Sequence, residues 1–102
     1  MELDRQIVAF LDYCLDNYKA LSTVDMYRQL LGVFSQWLRA NYPEIPGVES
    51  IELAHLQQFR RHLRLDSAAK GKEIAASTQA KYISALRAFL RYARQELRLT
   101  VV

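Results

Sequence analysis

With a single cysteine, Cys14, the 102-residue chain can form neither an internal disulfide nor a multi-cysteine metal site. Its three glycines build neither a P-loop nor a GxGxxG turn, so the common phosphate-cradling loops of nucleotide enzymes are excluded. No apolar run is longer than a few residues, and neither a signal peptide nor a membrane span can be read. These absences imply a soluble, reducing compartment, most simply the cytoplasm, and no membrane partner. A local absence says more. From Ile74 to Gln95 there is no Asp or Glu, although Lys81, Arg87, Arg91 and Arg94 all lie in that stretch.

A chain that is 51% hydrophobic and 25% charged lies in the ordinary globular range, and this length supports one core, so residues 1–102 are expected to form a single domain. The formal net charge of +3 is unevenly spread. Glu2, Asp4, Asp12 and Asp16 outweigh Arg5 and Lys19 at the beginning of the chain, whereas the stretch from Ile74 is wholly basic, which predicts one basic face.

Apolar spacing predicts helices and no strand. The first, about Leu3 to Ala20, places Leu3, Ile7, Phe10, Leu11, Cys14, Leu15 and Tyr18 on one side, with Cys14 expected as a buried, inert thiol. The second runs from a cap at Ser22 or Thr23 to about Asn41, with Tyr27, Leu30, Leu31, Phe34, Trp37 and Leu38 inward. Pro43, Pro46 and Gly47 then make a rigid corner. The third, about Glu52 to Leu65, has Leu53, Leu56, Phe59 and Leu63 as core positions; Asp66 to Ala76 reads as an exposed connection turning at Gly71. The fourth starts at a Ser77 or Thr78 cap and buries Tyr82, Ile83, Leu86, Phe89, Leu90, Ala93 and Leu97. The fold class is therefore all-α, a single four-helix bundle-like domain.

Catalytic constellations are not visible. His55 and His62 are seven residues apart, too far for the i,i+4 zinc pair of an HExxH helix, and no third ligand is nearby; no metal and no cofactor are expected. The spacing of serine, histidine and acid matches no nucleophile motif. Of the six tyrosines, Tyr13, Tyr18, Tyr27, Tyr42, Tyr82 and Tyr92, most lie on or beside apolar stripes, and none has an activating base beside it.

The fourth helix is better suited to a polyanion. An α-helix fits the major groove, and arginine binds phosphate or the O6/N7 edge of guanine. Arg87, Arg91 and Arg94 are expected along the border of its apolar face, with Lys81 and Ser84 nearer the middle of the outward one. The second helix offers Asp25, Arg28, Gln29, Gly32, Gln36 and Arg39, including amides suited to adenine. The competing explanation is a solvated face whose arginine stems cover the edge of the core.

Two segments carry a resemblance. LSTVDMYRQLLGVFSQWL, Leu21 to Leu38, and STQAKYISALRAFLRYA, Ser77 to Ala93, with IELAHLQQFRRHL, Ile51 to Leu63, between them, resemble the N-terminal core-binding, SAM-like domain of tyrosine recombinases, the phage-integrase family. The sequence departs from that pattern at Glu52, where the family often has a threonine or serine cap. The resemblance implies one half of a C-shaped clamp around a recombination site, with the second and fourth helices facing the major groove of double-stranded DNA. Carried over position by position, it implies DNA-facing roles for Thr23, Arg28, Gln29, Ser77, Thr78, Lys81, Ser84, Arg87, Arg91 and Arg94. Arg87, the arginine of the family's "ALR", is either a phosphate anchor or a brace for the bundle.

The resemblance implies no catalytic residue in this domain. Strand cutting and rejoining through a 3′-phosphotyrosine would belong to a separate catalytic domain, and the chain would be a piece of a longer recombinase of the bacterial cytoplasm or nucleoid. It covers phage or mobile-element integrases and chromosome-resolution recombinases alike. Further expected partners are that catalytic domain and neighbouring protomers on DNA; the acidic first helix suggests the latter contact, as a weaker form of a protein-interaction reading. The alternative function is a helical protein-interaction module whose basic ridge meets an acidic partner.

Overall fold

The computed structural model describes residues 2–17 and 19–102; Tyr18, expected on the first apolar stripe, lies outside the described residues. Four helices follow one another: α1 (Glu2–Asp16), α2 (Leu21–Asn41), α3 (Leu53–Ala69) and α4 (Ala76–Gln95), with a short 3₁₀ turn at Val48–Ser50. No strand occurs among the described residues, so the domain is all-α. No described helix is long and apolar enough to cross a membrane.

The apolar stripes meet as the periodicity requires. Leu3, Ile7, Phe10, Leu11 and Cys14 of α1 are buried against Val24, Leu31, Phe34 and Leu38 of α2 and Ala85, Leu86, Phe89, Leu90, Tyr92 and Ala93 of α4. Aromatic rings link the helices across the interior. Phe10 lies 5.6 Å from Tyr27, 5.7 Å from Phe89 and 5.4 Å from Tyr92, joining α1 to both neighbours. Phe59 brings in α3: it is wholly buried, meeting Phe34 edge-on at 5.0 Å, Trp37 at 5.3 Å and Tyr82 at 5.6 Å.

The proline corner is fastened as well as rigid. The Leu3 amide donates to the Pro46 carbonyl at 2.9 Å, and the buried Gln6 accepts the Val48 amide on Oε1 at 2.8 Å. Gly47 permits this approach, since a Cβ there would stand 3.0 Å from Gln6 Oε1. Nearby, Asp4 accepts the Ser35 hydroxyl at 2.7 Å and pairs with Arg39, tying α1 to α2 along a second line.

The helix ends depart from the sequence reading. Ala20 and Ala75 occupy the N-cap positions of α2 and α4, with no side-chain cap bond. Ser22, Thr23, Ser77 and Thr78, expected as caps, lie inside the first turns instead. The third helix begins after Glu52, whose amide donates to His55 Nδ1 at 2.9 Å. It continues to Ala69, beyond the expected Leu65, because Ala68 and Ala69 are good helix formers and Lys70 pairs with Asp66 at 3.1 Å. Gly71 then takes φ +75°, the left-handed conformation that ends the helix and turns the chain.

Three expected core leucines lie outside. Leu15 and Leu53 are exposed at the ends of their helices, and Leu97 leaves the register because α4 stops at Gln95. After α4, Arg98 adopts φ 56° and the Leu99 amide returns to the Ala93 carbonyl at 3.1 Å, laying Leu99 and Val101 against the core.

Candidate nucleic-acid interface

On α4 the buried set includes Ala85 and Tyr92, while Ile83 is only half-buried. Tyr92 turns inward because Phe10 and Tyr13 of α1 receive it, at 5.4 Å and 5.0 Å. At about 100° per residue this rotates the buried face by roughly 40° from the one expected from Tyr82, Ile83, Leu86, Phe89, Leu90, Ala93 and Leu97. Arg91 and Ser84 therefore occupy the middle of the outward face, with Arg87 and Arg94 to one side and Lys81 on the other. The expectation that Lys81 shares the middle while Arg91 lines the border is corrected accordingly. Ser77, Thr78, Lys81, Ser84, Arg87, Arg91 and Arg94 are all exposed.

These cations differ in freedom. Lys81, Arg87 and Arg91 have no ion pair or side-chain hydrogen bond among the described residues, whereas Arg94 Nη2 donates to the Val102 carbonyl at 3.3 Å. No acid lies in the first turn of α4 to offset them. On α2 the pattern reverses. Arg28 is held by Asp25 at 2.5 Å and Arg39 by Asp4, so the exposed Gln29 is the unengaged member of the predicted set and Thr23 is half-buried. Exposed pairs of this kind contribute about 0–1 kcal/mol, and a phosphate can exchange for the carboxylate. Gly32 has open space where a Cβ would stand.

A further basic surface was not among the predicted sites. Arg60, Arg61 and Arg64 of α3 line an open groove of about 740 Å³, closed on its other side by Glu73, Ile74 and Gln79. The three guanidinium groups have no ion pair among the described residues. The signal is present in the sequence, because α3 carries no acid between Glu52 and Asp66. It is a shorter run of the same kind as the one on α4, and so a fainter one.

Three potential nucleophiles are shifted toward their protonated forms. Burial pushes the Cys14 thiol up from its ordinary value, against the smaller pull of Lys19. Burial likewise raises the Tyr82 and Tyr92 phenols, with Asp66 adding to the first and Glu96 to the second. A nucleophile needs the opposite shift or an adjacent base. His55 is engaged by the Glu52 amide and stands edge-on to Tyr42 at 4.6 Å, and His62 lies beside Trp37 and Phe59. The described residues contain no group of three or more His, Cys, Asp or Glu able to hold a metal.

Residues 7–97 match the family model of the phage integrase N-terminal, SAM-like domain. No curated protein and no solved structure matches the chain. The matched span contains the α2 and α4 signature segments, the whole of α3 and the buried part of α1 from Ile7 onward. An all-α fold with the basic α4 face, and a match over most of its length, make the chain a member of the phage integrase N-terminal SAM-like domain family, a recombinase-associated domain.

Proposed function

We propose that residues 1–102 act as one non-catalytic unit that grips duplex DNA through α2 and α4, as the N-terminal half of a site-specific tyrosine recombinase. The observation that carries this reading is the outward face of α4. It is a helix with no carboxylate, with Arg91 at the centre of its exposed side and Lys81, Arg87 and Ser84 unengaged around it. A helix presenting unpaired guanidinium groups beside small side chains suits the major groove, where arginine reaches phosphates and guanine edges. Gln29 and Arg28 on α2 supply a second contact line, with Thr23, Ser77 and Thr78 in the first turns of their helices.

In this reading strand cutting belongs to a catalytic domain elsewhere in the recombinase, and that domain and neighbouring protomers on DNA are the protein partners. The working compartment is the bacterial cytoplasm or nucleoid. Fluorescence anisotropy with a mixed-sequence duplex, titrated with salt, tests the proposal. Log affinity falls with log salt by about 0.9 per neutralised phosphate, and Arg91→Ala or Lys81→Ala weakens binding and lowers that slope by about one each without altering the melting temperature. Failure to bind duplex at low salt, or affinity indifferent to salt, refutes it.

A further inference from the structure

We propose that the α3 groove is a second phosphodiester-binding surface, on which Arg60, Arg61 and Arg64 hold the DNA backbone outside the footprint of α2 and α4. The inference rests on the DNA reading and extends it to a helix that the reading leaves idle.

Three observations lead to it. First, the guanidinium groups are exposed, lack an ion pair among the described residues, and share one concavity. Arg60 and Arg64 are neighbours at i,i+4 and Arg61 and Arg64 at i,i+3, so their Cβ atoms lie about 5–6 Å apart and their side chains can engage successive anionic groups. Guanidinium matches phosphate oxygens in a fork and is weakly hydrated, which suits it to repeated backbone contacts. Second, the nearest carboxylate on α3, Asp66, is taken up by Lys70 at 3.1 Å. Third, the far wall of the groove includes Gln79 and Ala76 from the first turn of α4. At about 100° per residue Ala76 and Gln79 lie on the same side of α4 as Arg87, so the groove adjoins the N-terminal end of the basic α4 face along its Arg87 edge. That continuity favours a nucleic-acid backbone over an acidic protein segment, since one strand leaving the N-terminal end of α4 meets α3 next.

Glu73 lines the same groove and has no partner among the described residues. It opposes an anion there. A phosphate site thus makes a signed prediction at a position where loss of fold is not at issue, since Glu73 is an exposed residue of the α3–α4 connection.

The test compares the wild-type chain, the triple variant Arg60→Gln/Arg61→Gln/Arg64→Gln, and Glu73→Gln, by anisotropy on a mixed-sequence duplex across a salt series. The triple variant is expected to lose roughly 0.9 from the salt slope for each phosphate contact removed. Glu73→Gln is expected to bind about twofold more tightly at low salt, the effect of deleting one screened like charge. An unchanged slope in the triple variant, beside a reduced one in Arg91→Ala, overturns the inference and leaves the α2–α4 reading intact. The inference also falls if the triple variant loses binding to poly-glutamate while its duplex affinity is unaltered, which assigns the groove to an acidic protein partner. Absence of wild-type duplex binding overturns both readings.

Discussion

Phe59→Ala should destabilise the domain more than any exposed substitution. Phe59 is wholly buried and is the ring through which α3 reaches Phe34 and Trp37 on α2 and Tyr82 on α4. Truncating a buried phenylalanine costs about 3–5 kcal/mol in lost transfer energy and residual cavity. The edge-on contacts with Phe34 and Tyr82 place this site in the upper half of that range, since such pairs add about 0.5–1.5 kcal/mol beyond area. An unfolding entropy of about 2.1 cal/mol/K per residue gives a chain of this size roughly 0.21 kcal/mol/K, so the melting temperature should fall by about 19–23 °C. Thermal denaturation followed by circular dichroism measures the fall. Hydrogen exchange adds a local readout: amides of α3 should lose protection before those of α1, because α3 has lost its anchor while the Phe10 cluster is untouched. A fall of less than about 5 °C, or loss of protection spread evenly over all helices, would refute the claim that this ring fastens α3.

Gln6→Leu keeps the size of the side chain but removes the acceptor of the Val48 amide, leaving a buried donor unpartnered; the expected cost is about 1–3 kcal/mol in urea denaturation, and a neutral result would mean that the corner finds another acceptor. Stability should also decline at alkaline pH. The Cys14 thiol and the Tyr82 and Tyr92 phenols are raised above ordinary values of 9.0 and 10.0, so the unfolded chain ionises first. It then binds fewer protons than the folded chain, and the free energy of unfolding falls as pH rises through and above that range. Denaturant midpoints collected upward from neutral pH check the sign; a flat profile there would contradict it, and Cys14→Ser should remove only the lowest part of the decline.

The interior was largely legible because helical period is a strong signal wherever apolar residues recur over several turns. Leu3, Ile7, Phe10, Leu11 and Cys14 are buried as their spacing predicts, as are Leu31, Phe34 and Leu38. Misreadings cluster where local chemistry competes with packing. Ser22, Thr23, Ser77 and Thr78 are better caps than Ala20 or Ala75, yet each helix starts earlier, since first turns carried by tertiary contacts can form without a side-chain cap. Gln6 and Ser35 are buried polar residues that no hydropathy pattern reveals, because their partners, Val48 and Asp4, are distant in sequence. The basic face shows the same dependence on distant contacts. Lys81, Ser84, Arg87, Arg91 and Arg94 are exposed as their spacing predicts, but the centre of that face depends on Tyr92 finding a place against α1, and the α3 arginines share a groove only because the connection before α4 folds back beside them.

The domain measures 40 × 32 × 19 Å. Its shortest dimension is about two helix diameters, which leaves a single layer of side chains between opposite surfaces. In so thin a body the back of the exposed α4 face is also the core. A volume change at Leu86 or Phe89 has no deeper layer in which to dissipate and must be taken up by movement of the helix itself. The aim of Arg91 can therefore be adjusted from behind, through buried residues. Conservative exchanges among the buried side chains become a means of tuning where the basic face points while every charge on it stays the same.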